Sequence, residues 1–348
     1  MERGLVQAHL GPFPGEALKQ VLIVGAGAIG GALCAYLEAA GRPATLLARG
    51  ENARNIAEGG VRLTTPDNKV LHARPRVVTA AAGLDAQDAV LFATKSFSLP
   101  AAMSAAVPAI GPQTIVVPVV NGVPWWFGTT KEPLRAVDPE GFLARSIPYE
   151  RLVGATIYAP MKRVTPTEWL HTGQSKLIIG PAAAGGSEDP SRLVAELFHG
   201  AALTTLIAGD IHRAVWTKLM TNATFNTLCA LTGARQCDVA RDTHLGPVAR
   251  EIMREMEALA IASGSGIEGT VETHFDAAYE KGTFKPSTLQ DIEAGRPLEV
   301  AALVDGPLEL AQRYGVPMPA LRVAGAALKA KAMTMGLLPV TDRIDPRE

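Results

Sequence analysis

The chain has 348 residues, 47% hydrophobic and 19% charged, with a formal net charge of −1. That length allows two domains with sizeable cores, and the balanced charge excludes the basic surface that nucleic acid or an anionic membrane would require. The three cysteines, Cys34, Cys229 and Cys237, show no metal or redox spacing and point to reduced thiols in a cytoplasmic protein.

Residues 1–19 contain Pro12 and Pro14 but no basic start followed by an apolar run. They read as a loosely ordered extension rather than a signal peptide. Val21 to Val24 then form a short apolar run expected as a buried parallel strand, and it leads directly into Gly25-Ala26-Gly27-Ala28-Ile29-Gly30. Strand, glycine turn and helix start are the context of a dinucleotide fingerprint. Gly25 permits the tight turn, Gly27 leaves room for a pyrophosphate, and Gly30 lets the helix pack close to the strand. The helix that follows presents free N–H groups and its positive dipole end to the phosphates. The window 21–41 is apolar but interrupted by glycines and Glu38, so it is not a membrane span.

A second strand is expected at 44–48, followed by Arg49. An acidic residue there would hold the ribose 2′-OH of NAD, whereas an Arg accommodates the 2′-phosphate of NADP. Arg49 therefore favours NADP(H), with Glu51 the acidic competitor and an ordinary surface charge the plainer reading. A short β excursion is expected at 61–65 and 69–71, a buried strand at 88–93 ending in Thr94-Lys95, a helix at 98–107, and a strand at 114–120 ending in Asn121-Gly122. Ligands of open α/β sheets bind outside the carboxyl ends of the strands, which makes Lys95 and Asn121 candidates. A solvated Lys95 and a simple Asn-Gly turn remain open. The aromatic run at Trp125-Trp126-Phe127 could line a pocket mouth or cover a core edge, and 128–149 reads as a long excursion or lid. Strands at 152–159, 169–171 and 176–179 are expected to extend the sheet with antiparallel members, and a helix at 188–199 and a strand at 203–207 close the domain.

From Gly209 the pattern becomes helical, with helices expected at 211–231, 244–263, 270–281, 287–294, 297–314 and 319–336. The expected class is thus α/β, a Rossmann-type mostly parallel sheet domain (20–208) followed by an all-helical domain (209–337) and a tail (338–348). In the first of these helices Lys218, Asn222 and Asn226 recur at i, i+4 and i+8 and share one face. Polar groups on an otherwise apolar helix need partners, which a cleft between the domains would supply; a solvated face is the alternative. Ser287 is placed to cap the next segment and Pro297 to open the helix after it. Glu299 is then a charge favourable at a helix start, or a carboxylate aimed at the cleft.

Taken together, the glycine motif 25–30, Thr94-Lys95, Asn121-Gly122, the run from Trp216 through Lys218 and Asn222 to Asn226, and the run from Ser287 to Arg296 followed by Glu299 resemble the ketopantoate reductases (2-dehydropantoate 2-reductases). The resemblance covers nearly the whole chain. It implies NADPH-dependent reduction of 2-dehydropantoate to pantoate, a step toward pantothenate and coenzyme A. It implies Lys218 as general acid, with Asn222, Asn226 and Ser287 on the substrate. It places Asn121 between nicotinamide and substrate, and Arg49, Lys95 and Glu299 on the cofactor. Three departures stand out: Gln236 where the family often has Asn, Asp305-Gly306 where it tends to Asn-Gly, and the aromatic, extended 125–149 region. They leave room for another 2-oxo or 2-hydroxy acid as substrate. A non-catalytic NADP(H) sensor is the reading from a different class, and the Lys218 stripe argues against it. The seven histidines show no metal-ligand spacing, and a homodimer is compatible with the sequence.

Overall fold

The computed structural model describes Val6–Gln7 and residues 17–339, and the chain divides into two compact units. The first comprises residues 1–120 and 145–211, the second residues 121–144 and 212–348.

In the first unit five parallel strands lie in the order Arg76–Val78, Thr45–Leu47, Val21–Val24, Ala89–Phe92, Ile115–Pro118. Val21–Val24, Ala89–Phe92 and Ile115–Pro118 are buried throughout, which is why they read as continuous apolar runs rather than alternating ones. Burial of a side chain such as Leu22 or Ile23, both at 0% exposure, contributes roughly 1.5–3 kcal/mol. The strand order reverses between Val21–Val24 and Ala89–Phe92, the place where open α/β sheets bind ligands.

The strands after residue 150 do not extend this sheet as expected. Val153–Tyr158, Lys176–Pro181, Thr204–Ile207 and Val6–Gln7 form a second sheet, and Met161–Arg163, Glu168–His171, Val61–Thr64 and Val70–Ala73 form a third. One isolated bridge, Val116↔Leu152, joins the parallel sheet to the chain beyond it. Pro118 supplies no N–H, so the strand that ends there offers a shortened ladder. Arg76–Val78, not anticipated from sequence, is a three-residue edge strand too short for a periodicity signal. Val6–Gln7 pairs antiparallel with Thr204–Ile207, so that part of the expected loose extension is ordered; residues 1–5 and 8–16, and 340–348 of the expected tail, lie outside the described residues.

The second unit is helical: Ile211–Thr232, Gln236–Arg241, Leu245–Ala262, Val271–Tyr279, Ser287–Glu293, Gly306–Tyr314 and Pro319–Thr334. Gln236–Arg241 was not expected. The helix expected at 297–314 starts at Val300, and its first turns are a π-helix, Ala301–Asp305. Pro297 stays outside because Leu298 N–H is bonded to Leu337 O at 2.9 Å. Leu337 and Leu338 belong to the core of this unit, which therefore runs past the expected boundary at 337.

The boundary expected near 208 falls after Ile211, and residues 121–144 join the helical unit rather than the sheet unit. The segment read as an excursion or lid is tied down within that unit. Leu134 is fully buried, the Glu309 carboxylate accepts from the N–H groups of Arg135 and Ala136 at 3.0 and 2.8 Å, and Arg313 donates to the carbonyls of Glu132 and Pro133 at 3.0 and 2.6 Å. The Asp138 carboxylate, itself buried, accepts from Leu143 N–H and Ala144 N–H, both at 3.0 Å, and caps the short helix Phe142–Ser146.

Candidate functional site

The glycine loop of the first unit follows the central strand. Gly25 has φ +108° and its N–H bonds Leu47 O at 3.0 Å. Added Cβ atoms separate the roles of the glycines. At Gly30 a Cβ would lie 1.9 Å from Gly25 O, and at Gly31 2.2 Å from the Trp169 ring. Gly27 differs: its nearest neighbour would be Ala93 O at 3.8 Å. Packing forbids a side chain at Gly30 and Gly31, but among the described residues nothing forbids one at Gly27. The helix Ala28–Ala39 begins there with no side-chain cap and no acidic residue in its first turn, so Ala28, Ile29 and Gly30 open a helix whose first N–H groups suit an anion. Ala26 is nearly buried in the loop. Thr94 Oγ1, beside Gly25, is buried without a partner among the described residues. An uncapped helix start, a side-chain-free space and an orphaned hydroxyl fit the pyrophosphate of a dinucleotide.

Arg49 and Lys95 follow the carboxyl ends of the strands that flank the central one. Arg49 is exposed and its Nη2 donates to Ala101 O at 3.2 Å. Lys95 is half-buried at the start of the turn Ser96–Ser98. Sequence reading missed two residues here. Trp169 Nε1 donates to Gly27 O at 3.0 Å, and Arg163 lies 5.0 Å over the Trp169 ring, donating to Asn52 Oδ1 at 2.5 Å and Ala26 O at 3.4 Å. Both come from strands more than 130 residues downstream of the loop, and no local pattern announces them.

In the second unit the helix Ile211–Thr232 carries the polar stripe. Lys218 Nζ donates to Asn121 Oδ1 at 2.8 Å. Burial pushes the Lys218 ammonium down to about 8, against the opposing pull of the Glu299 carboxylate. Asn222 is half-buried; Asn226 and Glu299 are buried, each at 5% exposure. Ser287 does not cap its helix as expected. Pro286 holds the cap position, and Ser287 is the first helical residue, half-buried. The structure thus joins Lys218 to Asn121 directly, sets the Glu299 charge to act on Lys218, and places Asn222 and Asn226 further along the Lys218 face of the same helix. A lysine of lowered pKa, bonded to an amide and under a carboxylate's charge, can serve as a proton donor near neutral pH.

The departures also find places. Gln236 is buried at the start of its short helix. Asp305 pairs with Lys329 at 2.7 Å. Trp125 and Trp126 are buried, at 2% and 3% exposure. Trp126 packs edge-on against His212, and Phe127 stacks on His212 with ring centroids 5.0 Å apart. Of these aromatics, Phe127 packs against the core of the helical unit, with its ring 5.1 Å from that of Trp216. Among the described residues no group of His, Cys, Asp and Glu is placed to hold a metal, and no helix is long and apolar enough to cross a membrane.

The family model described as ketopantoate reductase PanE/ApbA matches residues 21–184, and its C-terminal counterpart matches residues 210–332. The chain is 34% identical to a 2-dehydropantoate 2-reductase of Mesorhizobium japonicum over 324 residues, covering 91% of this chain and 99% of that protein. The crystal structure of 2-dehydropantoate 2-reductase from Geobacter metallireducens superposes with a TM-score of 0.80 at 27% identity, over 90% of this chain and 99% of the other. A D-mandelate dehydrogenase solved with NADH and anilino(oxo)acetate shares the fold at 19% identity and a TM-score of 0.80, over 91% and 99% of the two chains.

Proposed function

The chain belongs to the ketopantoate reductase family of oxidoreductases, and on that premise we propose that it reduces the C2 ketone of 2-dehydropantoate to pantoate with NADPH. The observation that carries the reading is the Lys218 ammonium, held by Asn121 and lowered to about 8 by burial. The chemistry the cofactor supplies when bound is hydride delivery. Negative charge then develops on the ketone oxygen, and Lys218 stabilises it and gives up its proton there. The amides of Asn222 and Asn226 and the hydroxyl of Ser287 supply neutral hydrogen bonds for the substrate's hydroxyl and carboxylate. Gly25 to Gly30 and Lys95 hold the cofactor, Glu299 and Asn121 contact it, and the exposed guanidinium of Arg49 takes the 2′-phosphate, which selects NADP(H) over NAD(H).

The test is steady-state oxidation of NADPH and NADH with ketopantoate beside a panel of 2-oxo acids, for wild type and Lys218→Ala. Turnover of ketopantoate no better than of unrelated 2-oxo acids sinks the substrate assignment. A second substrate reading, another 2-oxo acid, is favoured by the buried Gln236 that departs from the family pattern. The panel therefore includes 2-oxo acids with aromatic substituents, the kind of ligand named for the D-mandelate dehydrogenase of the same fold. Tight NADPH binding with no turnover of any 2-oxo acid would instead mark a sensor. A small-molecule substrate and a cytoplasmic, homodimeric enzyme complete the reading.

A further inference from the structure

The π-helix Ala301–Asp305 is linked to Lys218 through the segment Asn121-Gly122-Val123, and its origin is legible in the chain. Gly306 N–H is bonded to Ala301 O, one residue beyond the α-helical acceptor. In an α register that N–H would serve Ala302 O. The residue five positions on from Ala302 is Pro307, which has no N–H to give. Ala302 O is therefore left without a donor inside its own helix. It accepts instead from Val123 N–H at 2.8 Å. Such turns are rare and concentrate at functional positions.

The segment docked there, Asn121-Gly122-Val123, is built for the contact. Gly122 has φ +86°, and a Cβ on it would lie 2.4 Å from Ala302 Cβ and 2.8 Å from Ala302 O. Gly306 faces Val123, where a Cβ would come within 2.3 Å of Cγ1. The far side of the π-turn is seated just as closely. Gly325 leaves the space that Val304 fills, since a Cβ there would be 2.2 Å from Val304 Cγ1, and Lys329, one turn along the same helix, binds the Asp305 carboxylate. Asn121, next to Gly122, accepts from Lys218. Glu299, the charged group acting on Lys218, lies two residues before the π-turn.

We propose that the π-turn Ala301–Asp305, with Gly122, Gly306 and Pro307, is a positioning element that holds Asn121 and Glu299 on Lys218 and so sets the proton donor's acidity. The proposal rests on the reading of Lys218 as general acid. None of these residues touches the reacting atoms; they act through Asn121 and Glu299. The Asp305 departure from the family pattern gains a role in this arrangement, since its carboxylate pins the turn through Lys329, while the retained Gly306 admits Val123.

The experiment is the pH profile of kcat for wild type, Lys218→Ala, Gly306→Ala and the double variant Gly306→Ala/Val123→Ala, with hydrogen exchange followed in the peptide that contains Val123. Gly306→Ala pushes Val123 off Ala302 O and draws Asn121 from Lys218. An ammonium that loses an acceptor is less favoured, so the alkaline limb of kcat moves down by about one pH unit and Val123 exchanges faster. Val123→Ala removes the colliding methyl, and the limb returns toward wild type. A folded Gly306→Ala with an unmoved limb overturns the proposal, as does a moved limb that the second substitution fails to restore. If Gly306→Ala does not fold, Lys329→Met, which only frees Asp305, moves the limb in the same direction by less, and no movement there refutes the proposal. Retained activity in Lys218→Ala would instead remove the general-acid reading beneath it.

Discussion

Gly27→Ala tests whether the space at Gly27, proposed for the cofactor, is distinct from that of the glycines required by packing. The backbone at Gly27, φ −76° and ψ −166°, is open to alanine, and the new Cβ would meet nothing closer than Ala93 O at 3.8 Å. Alanine at a helix N-cap costs about 0.5–1 kcal/mol relative to glycine. The lost freedom of the unfolded chain returns about 0.4–1 kcal/mol. The two terms nearly cancel, so the cofactor-free protein keeps its stability to within about 0.5 kcal/mol. The ligand side is different. A methyl in the pyrophosphate's place removes a charge-assisted hydrogen bond worth about 2 kcal/mol, roughly a 30-fold weaker Kd. At an NADPH concentration of about 100 wild-type Kd, ligand stabilisation is then ~0.9 instead of ~2.7 kcal/mol. Denaturant or thermal melts with and without NADPH, together with direct titration, measure both terms. Gly30→Ala is the contrast: its Cβ at 1.9 Å from Gly25 O costs about 3 kcal/mol or more without any ligand. Wild-type NADPH affinity in Gly27→Ala, or a loss of cofactor-free stability like that of Gly30→Ala, would refute the assignment of this space to the cofactor.

Lys218→Ala should lower kcat by about two to four powers of ten while the protein stays folded, read by NADPH oxidation with ketopantoate. With Lys218 as the proposed general acid, its ammonium is the working form, half present at its pKa of about 8 and lost as pH rises through it; kcat/KM should therefore be level below about pH 7 and fall to about one tenth by pH 9. Arg49→Ala should raise KM for NADPH and leave KM for NADH unchanged; equal use of both cofactors by wild type would remove Arg49 from the argument. Gly31→Ala should destabilise by about 1–3 kcal/mol, because its Cβ meets the Trp169 ring at 2.2 Å, and Gly31→Ala/Trp169→Leu should recover part of that loss in chemical denaturation.

Much of the candidate site was legible because its signals are local. Val21–Val24 followed by three spaced glycines specifies strand, turn and helix within ten residues, and the spacing of Lys218, Asn222 and Asn226 places them on one helical face by backbone geometry alone. Arg163 and Trp169 were not legible, because their role at the glycine loop depends on a strand pairing, Glu168–His171 beside Val61–Thr64, that joins segments over a hundred residues apart. The cap expected at Ser287 moved to Pro286 because a helix end is set within a residue or two by what the flanking backbone packs against. The strands after 150 have the right composition for strands, but composition does not choose a sheet; hydrogen-bond partners do.

The sequence by itself determined the two-part organisation, the strand, glycine turn and helix at Val21–Ala39, the lysine-bearing helix and, through its motifs, the family. Each is written in a period or spacing that the backbone reads without distant help. Only the tertiary structure decided that residues 121–144 belong with the helices, that of Gly25, Gly27 and Gly30 only Gly27 has room for a side chain among the described residues, and that Pro307 leaves Ala302 O free for Val123. The physical reason is the same in each case. A periodic pattern reports how a residue sits in its own helix or strand, whereas a missing side chain or a missing N–H acquires meaning only from the atom that packing brings opposite it.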